Sequence, residues 1–189
     1  MKAFVIGLLV GVLLLVGGVY YYFTSGMAPA AAADPPMPYE KRMANKSLDA
    51  HIEKAKVPPS PIQTNEENLL AGAKVYKEQC AVCHGLPNQP PPVIADNMYP
   101  HATLMFKDKG VTDDPPSESY WKAANGIRLT GMPSFKGVLT DTQLWQAALL
   151  VAHANELPDS VKKELTPEPP PAPTAPAPAP VKAPPSKQK

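Results

Sequence analysis

Gln79-Cys80-Ala81-Val82-Cys83-His84-Gly85 holds the only two cysteines of the 189-residue chain and sets a histidine directly after the second. Residues three apart share one face of a helical turn. Two thiols at that spacing reach two vinyl groups on one edge of a porphyrin, and the next residue comes beneath the ring. There an imidazole nitrogen binds the iron as proximal ligand. The pattern reads as the attachment site of one covalent haem c, with Cys80 and Cys83 as anchors and His84 as an iron ligand. Two plainer chemistries compete. A redox disulfide needs no adjacent histidine and belongs to a βαβ setting, which the sequence lacks. A structural zinc site needs a fourth ligand from a second cluster, and no such cluster follows.

The other face of the iron needs a partner. The candidates are Met98, Met105, Met132, His51, His101 and His153. Met132 stands out because it lies in Gly131-Met132-Pro133-Ser134-Phe135. Glycine lets the backbone approach a ring closely, and proline stiffens the loop. A thioether is a soft neutral ligand that raises the potential of haem iron. The interval of 48 residues from His84 to Met132 leaves room to wrap the ring edge. Met98 and Met105 read as packing, and His153 as a helix-end residue that suits the dipole. Arg128, four residues before Met132, is a candidate for pairing with a haem propionate through its fork of donors. Tyr99 and Trp121 are weaker candidates for the same contact.

Outward from this centre the chain divides into four stretches. Phe4 to Phe23 is a 20-residue run without a charge, long enough to cross a hydrocarbon core of about 30 Å as a helix. Lys2 precedes it and Tyr20, Tyr21 and Tyr22 close it, so the positive-inside rule places the N-terminus in the cytoplasm and the remainder outside. Residues 1–24 are expected to be a single-pass anchor. A cleaved leader ending near Ala28-Pro29-Ala30 is the rival reading, and both readings export the rest. Residues 25–61 form a Pro/Ala-rich linker in which Ser47 is expected to cap a short helix through Lys56. Residues 62–158 form the globular domain. Residues 159–189 form a Pro/Ala-rich tail: ten of its last 23 residues are proline, a composition expected to stay disordered.

Within residues 62–158 every pattern is helical. Thr64 and Glu67 form an expected capping box for a helix over 65–79, with Leu69, Gly72, Ala73 and Tyr76 on one face. Pro87 to Pro92 reads as a stiff loop, with Val93 and Ile94 after it as haem-edge or core contacts. One helical turn is expected near Leu104 and Phe106. Asp114 is expected to cap a helix that begins at Pro115 and ends at Gly126. Thr140 and Gln143 form a second capping box for a helix over 141–155, whose apolar face carries Leu144, Trp145, Ala148, Leu149 and Ala152. The whole chain carries a net charge of +1, which argues against nucleic-acid binding. Residues 62–158 hold 7 Lys/Arg against 10 Asp/Glu, a net charge of −3, so a partner with a basic patch is favoured.

Several runs together resemble a class I cytochrome c: Gly72-Ala-Lys-Val-Tyr76 leading into Cys-Ala-Val-Cys-His-Gly, then Asn125-Gly126-Ile127-Arg128, Thr130-Gly131-Met132-Pro133 and Leu139-Thr140-Asp141. Within that class the chain is most similar to the monohaem domains related to cytochrome subunits of cbb3-type oxidases. The resemblance implies an all-α fold of four or five helices around the covalent haem. In it Gly72 and Tyr76 would meet Leu144, Trp145 and Ala148 where the first and last helices cross. It also implies His84 and Met132 as axial ligands and one-electron transfer rather than enzymatic turnover, with redox proteins (an oxidase, a dehydrogenase or another cytochrome) as partners. A small-molecule substrate is not expected. A membrane location with the haem domain facing the periplasm follows from the anchor.

Overall fold

The computed structural model describes residues 1–166; the Pro-rich tail from Pro167 lies outside the described residues. Eight helices are present and no strand is formed among the described residues: α1 (Lys2–Thr24), α2 (Glu40–Ala55), α3 (Glu66–Gln79), α4 (Ala81–His84), α5 (Val93–Asp96), α6 (Pro116–Asn125), α7 (Asp141–Ala152) and α8 (Asp159–Glu164). The expected all-α class holds.

α1 is apolar over its whole circumference and buries none of its residues. A helix that apolar on every side has no use for water as its surroundings. At 23 residues it measures about 34 Å, enough to span a bilayer core.

α2 corrects the linker reading. It starts at Glu40 rather than at Ser47. The signal that opens it is not a serine hydroxyl but a left-handed turn at Tyr39, φ 66°. There the Glu40 carboxylate accepts the Met37 N–H at 2.8 Å. Ser47 then sits mid-helix.

The folded core is built on the crossing of α3 and α7. Gly72 makes that crossing possible: a Cβ added there would lie 2.2 Å from the Gln146 carbonyl oxygen. The two backbones touch, and the Gln146 amide donates to the Asn68 side chain at 3.0 Å beside the contact. The expected crossing of these helices is present, and its closest point is specified. Gly72 meets Gln146 and Ala147, and Tyr76 joins a cluster with Leu69, Leu149, Leu150 and Val151. Trp145 turns the other way and stacks on Tyr120 of α6, ring centroids 4.1 Å apart. α7 lies between α3 and α6, so it is buried on nearly every side rather than on one stripe.

Two caps differ from expectation by one residue. α3 is capped by Asn65, whose side chain accepts the Asn68 N–H, instead of by Thr64. α6 starts at Pro116 with Pro115 as its cap, and Asp114 makes no capping bond. The Thr140–Gln143 capping box is present as expected. α8 lies beyond residue 158, where the globular region was expected to end. Its Val161, together with Leu165 after it, is fully buried in the core cluster. Val93 and Ile94 are not core residues. Their side chains are exposed, and Ala95 is the buried residue of α5.

Candidate functional site

The cysteine turn is a continuation of α3 after a one-residue break. Cys80 ends α3 and opens α4. The His84 N–H donates to the Cys80 carbonyl at 2.9 Å and the Gly85 N–H to the Ala81 carbonyl at 2.9 Å. Gly85 then leaves the helix at φ 73°, a conformation that glycine adopts without strain. The turn is clamped to α3 from below: the Tyr76 hydroxyl, buried, donates to the Gly85 carbonyl at 2.7 Å. Tyr76 also packs edge-on against Phe106, centroids 5.1 Å apart.

Both thiols are free. Burial, followed by the neighbouring Cys83, pushes the Cys80 thiol up to about 12, so it is protonated at neutral pH. The His84 pKa moves the other way, toward the same uncharged state: burial lowers it, and the bond to Thr103 only partly offsets this. The imidazole is therefore neutral near pH 7. Its Nδ1 lies 2.7 Å from the Thr103 carbonyl oxygen. A carbonyl only accepts, so Nδ1 carries the proton and Nε2 keeps its lone pair. An outer hydrogen bond of this kind fixes the tautomer and ring orientation of a metal-binding histidine. The Met105 N–H reaches back to the His84 carbonyl at 3.4 Å.

Met132 sits in a loop pinned to the end of α6. The Ile127 N–H donates to the Met132 carbonyl at 3.2 Å. The Thr130 hydroxyl donates to the Ile127 carbonyl at 2.7 Å and accepts the Met132 N–H at 3.1 Å. Beyond it, Phe135 and Lys136 donate to the carbonyls of Ala123 and Ala124, and the Ser134 hydroxyl donates to Ala124. Gly126 makes room for this fold-back: a Cβ there would stand 2.7 Å from the Pro133 and Ser134 backbone. Met132 itself is half-buried.

The donor set fits a covalent haem. Two free thiols lie on one turn, and a neutral imidazole beside them has its Nδ1 already occupied. Apolar side chains flank these donors without being covered: Val82 between the cysteines is 63% exposed, and Val93 on α5, which packs against α4, is 79% exposed. These two leave apolar surface open beside the donors. A zinc reading finds no support, since no group of three or more His, Cys, Asp and Glu side chains is placed to hold a metal ion among the described residues.

Residues 67–151 match the family described as cytochrome c oxidase, cbb3-type, subunit III. This segment is a cytochrome c domain of the cbb3 type. A comparison with curated proteins finds no match. A cytochrome c domain implies covalently bound haem c and haem-based electron transfer, and such domains are in general electron carriers.

The remaining candidates are placed as follows in the cytochrome domain. Arg128 is exposed and forms no ion pair among the described residues. The His153 ring donates to the Leu149 carbonyl at 2.9 Å within its own helix end. The His101 ring contacts the Ala95 carbonyl at 3.2 Å. Met105 packs against the core cluster. His51 is exposed on α2. Sequence reasoning missed Thr103, whose role is carried by its carbonyl and so leaves no mark in residue identity.

Proposed function

We propose that the chain is a membrane-anchored monohaem cytochrome c that passes single electrons between redox proteins of a respiratory-type chain. Cys80 and Cys83 hold haem c through two thioether bonds, and His84 and Met132 are its axial ligands. Arg128 neutralises a propionate. α1 stays in the inner membrane and the domain faces the periplasm. The partners are an oxidase, a dehydrogenase or another cytochrome.

The observation that carries this reading is the His84 Nδ1 contact with the Thr103 carbonyl at 2.7 Å. It leaves Nε2 as a preoriented donor. When bound, the haem supplies a reversible ferric–ferrous couple. Cys80 and Cys83 fix the ring to α4, and the Tyr76 clamp fixes α4 to α3. Thr103 holds the imidazole plane. The Met132 loop, tied to the end of α6, brings a neutral sulfur donor on a short stiff segment. With both axial places filled by the chain, oxidation and reduction need no ligand exchange. That keeps reorganisation small and turnover chemistry out of reach.

The test is optical redox spectroscopy of the purified holoprotein with a midpoint potential. Ferric protein shows the red absorption band of sulfur–iron ligation and does not bind carbon monoxide readily in the ferrous state. Met132→Ala loses the band, lowers the potential and opens the site to carbon monoxide. Retention of the band in Met132→Ala would rule out this ligand.

A second reading is favoured by the description of the matched family, an oxidase subunit. In it the chain is a fixed member of a complex rather than a mobile carrier. Co-purification of a partner at one-to-one yield after mild detergent extraction supports the subunit, and isolation as a lone monomer excludes it.

A further inference from the structure

Gly131, directly before Met132, has no left-handed backbone that would demand glycine. What a side chain at this position would meet is the end of Met98. A Cβ on Gly131 would stand 3.0 Å from Cε and 3.5 Å from Sδ of Met98. The thioether end of Met98 thus fills the notch that the missing side chain leaves. Met98 follows α5, which packs against the cysteine turn α4. Its flanks are pinned back on that short helix: the Asn97 amide donates to the Val93 carbonyl at 2.8 Å, and the His101 ring meets the Ala95 carbonyl at 3.2 Å. A side chain rooted beside one ligand segment is therefore seated in the other.

We infer that Met98 is a positioning residue for Met132. Its end, lodged against Gly131, sets where the Met132 backbone stands and so how squarely the Met132 sulfur meets the iron. This rests on Met132 being the axial ligand. Methionine suits the task because it is unbranched and fills irregular gaps. Neither residue carries a charge, so the coupling works through shape.

The test uses the full-length holoprotein and reads the sulfur–iron band, the midpoint potential and carbon monoxide affinity. Met98→Ala empties the notch. It weakens the band, lowers the potential and tightens carbon monoxide binding roughly tenfold, a fraction of what truncating a packed methionine costs. Met98→Leu keeps the bulk without the sulfur and restores wild-type values. Gly131→Ala forces Met98 to give way and shifts the same readouts in wild type, whereas in the Met98→Ala background the added methyl has room and moves them back. Unchanged readouts in Met98→Ala, with the band abolished in Met132→Ala, overturn the inference and leave the ligand assignment standing. Met98→Leu behaving like Met98→Ala also overturns it, since the sulfur and not the shape would then matter. A band that survives Met132→Ala removes the ligand assignment itself.

Discussion

The Tyr76 hydroxyl and the Gly85 carbonyl, 2.7 Å apart and buried, join the helix before the cysteine turn to the residue that ends it. The bond spans the whole cysteine turn. Burial raises the Tyr76 pKa well above the ordinary phenol value, so the hydroxyl remains a donor through the whole working pH range. Tyr76→Phe keeps the ring against Phe106 but strands the carbonyl. An unsatisfied buried acceptor costs about 1–3 kcal/mol. Thermal unfolding of the holoprotein should show the melting point lower by several degrees, with an unchanged haem spectrum. An unaltered melting point would mean that water or a shifted backbone satisfies Gly85.

Gly72→Ala is expected to be among the most damaging small substitutions in the chain. The new methyl would meet a backbone oxygen at 2.2 Å, and no rotamer relieves that. Separating α3 from α7 costs about 3 kcal/mol, the upper end for overpacking. Chemical denaturation of the purified domain checks this. A loss below about 1 kcal/mol would show that the crossing is looser than its geometry indicates.

Covalent retention should divide cleanly between the two cysteines. Cys80→Ala or Cys83→Ala leaves one thioether, and haem still travels with the polypeptide through a denaturing gel. The double variant leaves none, and haem extracts into acidic organic solvent. Haem that stays bound in the double variant would exclude attachment at these residues.

Asp114 gives a pH signature away from the iron. Burial, followed by Glu118, raises its carboxyl pKa, and Lys122 3.9 Å away only partly offsets this. A raised carboxyl pKa means that the fold binds the proton more tightly than the unfolded chain does. The stability this residue contributes is therefore present below its ordinary pKa of 3.8 and lost as pH rises through the higher folded value. Asp114→Asn should raise the melting point at pH 7 and leave it unchanged near pH 3. A uniform shift at both pH values would assign the effect to something other than charge.

A chain ended at Pro158 should be much less stable than one ended at Thr166. The longer form keeps Val161 and Leu165, both fully buried. Burying two such side chains contributes about 3–6 kcal/mol. The Lys77–Glu164 ion pair, 3.2 Å apart and partly exposed, adds little. Denaturant midpoints of the two forms decide the matter.

The parts of this domain legible in sequence were those fixed over a few residues. The cysteine turn, the Gly85 exit and the Thr140 capping box depend on neighbours three or four positions away, and identity alone shows them. Thr64 and Asn65 both have an oxygen suited to a cap, and only the backbone decides that Asn65 is used and α3 starts at Glu66. Asp114 is not the cap because Pro116 holds the residue before it, Pro115, in extended backbone, so the helix starts at Pro116 and Pro115 takes the cap position. The closest partner of Gly72, the Gln146 backbone, is not legible, since burial of α7 on both sides leaves no single apolar stripe to read. Two contacts had no sequence signal at all. Thr103 acts through its carbonyl, which every residue has. Met98 acts on Gly131 through an atom that is missing.

The hydrogen bonds that steady the site end almost entirely on main-chain oxygens: those of Thr103, Gly85, Ile127, Ala123 and Ala124. Such acceptors survive a change of side chain. Thr103, which is exposed, can be exchanged in charge or bulk while its carbonyl keeps the bond to the His84 ring. Were the domain to carry haem as proposed, a lineage or an engineer could alter the surface at that point without disturbing the imidazole meant for the iron.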